Sequence, residues 1–103
     1  MTQIERINLM ESYLNEAAIT LKNFESALND YQAAQYKIHE LAKYYHSDEW
    51  RKDFDDDNNG MLPDGLKRGV LSEDAVYDVL SDNNSLLADS LEVIAKILRS
   101  GRF

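Results

Sequence analysis

Apolar residues recur three and four apart without a slip through the first half of the chain, at Ile7, Met10, Leu14, Ala17, Leu21, Phe24, Leu28, Tyr31, Gln35, Ile38, Ala42 and Tyr45. With Ile7 as a heptad a position, only Gln35 in this a/d series is polar. Tyr13, Ala27, Ala34 and Leu41 widen the seam on one flank into the broader face typical of a helix bundle. Neither glycine nor proline occurs before Gly60. The spacing predicts a single helix over about 3–46, roughly 60–65 Å long. A bend or break near Asn29-Asp30 is the alternative.

Ser47 reads as the N-cap of a short helix over about 48–55, with Asp48 and Glu49 near its positive end and Trp50 facing inward. A connection follows over about 56–71. Asn59-Gly60 and Asp64-Gly65 are turn signals, and Pro63 keeps Leu62 out of helix. Ser72, followed by Glu73 and Asp74, starts the next helix, predicted over about 73–81. The polar run Asp82–Ser85 separates it from a last helix over about 84–99 that buries Leu87, Leu91, Ile94, Ala95 and Leu98. Because Tyr77, Leu80, Asn84, Leu87, Leu91, Ile94 and Leu98 stay in heptad register, one continuous helix from 73 to 99 is the competing reading.

The expected fold is therefore all-α, a single domain over 1–103. The shorter helices pack back antiparallel on the long one as a helical bundle or hairpin. Such packing covers about 40 Å of the first helix at most. It leaves Ile4, Ile7, Met10 and Leu14 exposed, which predicts self-association through the long helix as a homodimer.

Charge changes the picture in one region. Of the 19 acids, seven fall in residues 47–66 against two bases, so most of the net charge of −8 sits in the connection. This disfavours a nucleic-acid partner, which needs a basic face. No apolar run approaches a membrane span or a signal peptide, and cysteine is absent. A cytoplasmic protein, with no membrane and no cofactor, is the expectation.

The connection also holds the candidate chemistry. Asp55-Asp56-Asp57-Asn58-Asn59-Gly60 matches the first half of a calcium loop, with Asp55, Asp57 and Asn59 as weak candidate ligands. The second half fails, because Leu66 stands where a bidentate Glu closes such sites. Lys67-Arg68-Gly69 precedes a helix start and could hold an anion; the competing role is to neutralise Asp53, Asp55 or Asp56 internally. Trp50, beside Arg51 and close to Tyr44, could anchor an unknown protein partner or plug the end of the bundle. His39 and His46 lie seven apart, about 10 Å along a helix, too far to share one ion. With no Cys nucleophile, no Gly-rich phosphate loop and no His–carboxylate cluster, the chain does not read as an enzyme.

The strings YYHSDEWRKDF from Tyr44, Leu62-Pro63 and LKRGVLSEDAVYDVL from Leu66 resemble a family of small bacterial proteins known as domain of unknown function 4298. The likeness extends over nearly the whole chain, and Asp55–Gly60 is where the chain departs from the family. The resemblance implies a small, mostly helical cytoplasmic protein of Gram-positive-type bacteria, with no activity or ligand attached. It further implies that Trp50, Pro63, Lys67, Arg68, Gly69, Ser72, Glu73 and Asp74 belong to one feature. Taken together, these readings point to a non-catalytic helical interaction or scaffolding protein with Tyr44, Trp50, Arg51, Lys67 and Arg68 as its docking residues. The alternative is a binder of an anion at Lys67/Arg68 or of calcium at the Asp55–Gly60 turn.

Overall fold

The computed structural model describes residues 1–101. Among them the regular structure is entirely helical: α1 at Gln3–Tyr45, α2 at Asp48–Asn58, a single 3-10 turn at Gly69–Leu71 and α3 at Glu73–Arg99. The fold is all-α with a long N-terminal helix. The chain divides into two compact units, residues 1–36 and 37–103.

The first unit is helix alone. α1 continues through Asn29-Asp30, since those two residues lower helix propensity by only a fraction of a kcal/mol each and no proline or glycine accompanies them. No residue of α1 is buried. Its seam is exposed from Ile4 (71%) through Met10 (50%) and Leu14 (64%) to Leu28 (51%). The exposure expected for Ile4, Ile7, Met10 and Leu14 therefore extends four turns further.

The second unit holds the buried residues, Trp50, Leu71 and Val76. α2 and α3 both pack on the 3-10 turn that joins them. Ser47 caps α2, its Oγ accepting from the Trp50 amide at 3.2 Å while its hydroxyl donates to the Tyr44 carbonyl at 2.5 Å. Ser72 caps α3 in the same way, accepting from the Ala75 amide at 3.3 Å. Acids in the first turn of each helix, Asp48 and Glu49 in α2 and Glu73 and Asp74 in α3, complement the positive helix ends.

Two boundaries differ from expectation. α3 is one helix over 73–99, so Asp82–Ser85 does not divide it. Asp, Asn and Ser each cost only about 0.5–0.7 kcal/mol in a helix interior, and the apolar register on either side is continuous. α2 runs three residues past the predicted end, through Asn58. Leu87, Leu91, Ile94 and Leu98 of α3 are 42, 71, 45 and 75% exposed.

Candidate functional site

The junction of α2, the 3-10 turn and α3 gathers most of the residues singled out in the sequence. Trp50 is its centre. The residue is 7% exposed, and its indole N–H donates to the Val70 carbonyl at 2.9 Å. The ring stacks on Phe54 at 5.1 Å and meets Tyr45 edge-on at 5.2 Å. Both halves of the indole are thus satisfied, the apolar body by aromatic contact and the N–H by a carbonyl. Trp50 is buried in the junction and held there by its aromatic and hydrogen-bond partners.

Leu71 and Val76 complete the small core. They occupy the positions immediately before the N-cap Ser72 and four after it, the spacing of a hydrophobic staple that fixes how the chain enters a helix. The Leu-Ser spacing to Val76 carried that signal in the sequence, although neither residue was a candidate.

Tyr44 is directed at Asp53, which the sequence offered as a partner for Lys67 or Arg68 and not for a tyrosine. Its hydroxyl donates to Asp53 Oδ2 at 2.5 Å, tying the last turn of α1 to α2. Burial first, then the hydrogen bond to Asp53 and the nearby carboxylate charges of Asp53 and Glu49, pushes the phenol up to about 12. No spacing rule links positions nine apart across a helix–helix corner, so this pairing is not legible in the sequence.

Arg68 turns inward as well. One guanidinium nitrogen donates to the Pro63 carbonyl at 2.7 Å, and Nε lies 3.2 Å from Asp57 Oδ1. The Nε contact is a charge pair without hydrogen-bond alignment. The internal neutralisation considered for Arg68 is therefore real, but its partner is Asp57 and not Asp53, Asp55 or Asp56. The pairing also couples the two ligand hypotheses, because a candidate anion holder is occupied by a candidate calcium ligand. Lys67 and Arg51 are exposed.

The Asp55–Gly60 stretch is a helix end. Asp55 and Asp57 lie inside α2, and residues two apart on a helix point roughly 200° from each other, so their carboxylates do not converge. Gly60 takes a left-handed φ of 68°. Its amide donates to the Asp57 carbonyl at 3.1 Å and that of Met61 to the Asp56 carbonyl at 2.9 Å. This is the Schellman arrangement that closes helices. The Asn-Gly pair read as a loop turn is the cap of α2, and Asn59 is its C-cap residue. Among the described residues no three His, Cys, Asp or Glu side chains are grouped to hold a metal ion.

Beside the junction lies an open cleft of about 450 Å³ lined by Tyr45, His46, Ser47, Asp48, Trp50, Arg51 and Glu73. Its walls mix both charge signs. The Tyr45 hydroxyl spans to the Glu73 carbonyl at 3.5 Å.

These features define an all-helical chain in which, among the described residues, the buried side chains gather at a capped turn joining two helices. The chain belongs to the family described as Domain of unknown function (DUF4298), whose model matches residues 7–93. No curated protein and no solved structure matches it. Among the described residues, no helix is long and apolar enough to cross a membrane.

Proposed function

We propose that the protein is a non-catalytic helical interaction module that self-associates as a homodimer through the apolar seam of α1. The observation that carries this reading is the unbroken seam from Ile4 to Leu28, whose large side chains are 50–71% exposed in the single chain. Contiguous apolar stripes of this length mark contact surfaces. Fully burying a Leu, Ile, Met or Phe side chain is worth about 1.5–3 kcal/mol. About half of that remains to be gained along both copies of the seam, on the order of 10–20 kcal/mol. Association itself costs roughly 4–15 kcal/mol, so the seam is sufficient to hold a pair.

The connecting block serves this module as a structural joint, with its outward-facing Arg51 and Lys67 available to a further protein partner. A cysteine-free, acidic chain fits the reducing cytoplasm. Thermal unfolding at two concentrations tests the self-association. The midpoint rises by several degrees between about 1 and 100 µM if folding is coupled to pairing. An unchanged midpoint contradicts the reading.

A further inference from the structure

The exposed part of the α1 seam complements its own reverse. Its a and d positions run Ile7, Met10, Leu14, Ala17, Leu21, Phe24. We infer that two copies pair antiparallel through residues 3–28 of α1, with Ile7 facing Phe24, Met10 facing Leu21 and Leu14 facing Ala17 of the second copy. This rests on the self-association proposed above and assigns its geometry. Two-fold symmetry repeats each contact, and the axis passes between Leu14 and Ala17.

Three observations favour this arrangement. The first is where exposure stops. Seam residues are exposed through Leu28, whereas Tyr31, Gln35, Ile38, Ala42 and Tyr45 are all half-buried. The uncovered stretch of seam is thus centred close to the axis that the pairing requires.

The second is size. An in-register parallel pair sets Ala17 against Ala17 and Phe24 against Phe24, a thin layer one heptad from a thick one. The antiparallel pair gives Ala17 a leucine and Phe24 an isoleucine, so the layers have even width, as close packing demands. On the flanks, Glu11 then faces Ala18, Glu25 faces Ile4 and Arg6 faces Ala27, so no like charges meet.

The third is charge. The block at 47–66, with seven acids and two bases, begins two residues after α1 ends. Parallel pairing puts both blocks at the same end of the dimer, where they repel; antiparallel pairing puts them at opposite ends. The parallel form does gain Arg6–Glu11 contacts between copies. Exposed pairs of that kind weigh little against the packing and charge terms.

Cysteine crosslinking reads the orientation directly, because the chain has no cysteine of its own. Ile7→Cys and a size-tagged Phe24→Cys are mixed, refolded together and oxidised. The antiparallel pair gives the mixed disulfide, and neither variant alone crosslinks, since like positions lie about 25 Å apart along the axis. Self-crosslinking of each variant shows a parallel pair and overturns the inference while leaving self-association intact. A sample of dimeric mass with no crosslink shows that another surface pairs, and overturns it equally. A monomeric mass for the unsubstituted chain overturns the self-association and the orientation with it.

Discussion

Trp50 is where side-chain detail decides most at this junction. Trp50→Ala removes a buried ring from an aromatic stack and strands the Val70 carbonyl, a loss of about 3–5 kcal/mol. Trp50→Phe keeps most of the apolar body but not the donor, and costs about 1–3 kcal/mol. Chemical denaturation of the two variants reads the difference. Tyr44 supplies a pH signature. Its phenol is raised from 10.0 to about 12 in the folded chain, so the folded state favours the protonated form. That contribution is complete below pH 10 and disappears as pH rises from 10 to about 12. Ultraviolet titration is expected to show a late-ionising phenol, and Tyr44→Phe to remove that step. Gly60 is the one glycine in the junction with a left-handed φ, and no atom lies within 4 Å of the place its Cβ would take. Gly60→Ala therefore costs about 1–2 kcal/mol through conformation alone, whereas Gly65→Ala, with the same open space and no positive φ, does not destabilise. The Schellman cap also predicts that calcium and EDTA leave the thermal midpoint unchanged, because ligand linkage requires a site.

At the scale of elements, the caps and the seam were legible before the structure. Ser47 and Ser72 act as the N-caps the sequence suggested, because a hydroxyl before paired acids has one favourable local use. Ser72→Ala is expected to lower stability by about 1 kcal/mol, measured by denaturant titration. The run at 82–85 was harder to read. A polar stretch resembles a break when viewed alone, yet a helix pays only small propensity terms there while both flanks hold register. Amide exchange through Asp82–Ser85 is expected to be continuous with that of the neighbouring turns; a locally unprotected window contradicts one uninterrupted α3. The Asp-rich block misled for a related reason. Asp and Asn are turn formers and calcium ligands, but they also end helices, and the identity of Gly60 alone does not separate those roles. The family resemblance implies that Trp50 and the LKRGVLSED string form one feature without saying what it does; in the structure the Trp50 indole N–H donates to the Val70 carbonyl and Arg68 pairs with Asp57 of the same helix as Trp50.

At the scale of the molecule, surface area sets the question. The large apolar side chains of the α1 seam between Ile4 and Leu28 are 50–71% exposed. A standard interface removes about 800 Å² from each partner, and that seam is where a helical contact can supply it. Helix length predicts exposed side chains at Ile4, Ile7, Met10 and Leu14, and all four are at least half exposed. The exposure of Leu91 and Leu98 in α3 is not legible in the same way, because heptad spacing identifies a face without identifying what lies against it. Light scattering of the unsubstituted chain at tens of micromolar tests the central claim most directly, with Leu14→Glu/Leu21→Glu as the control that breaks the seam. The expected result is twice the 11.8 kDa chain mass for the native sequence and a single chain mass for the double variant. A native mass of 11.8 kDa across that range contradicts the account.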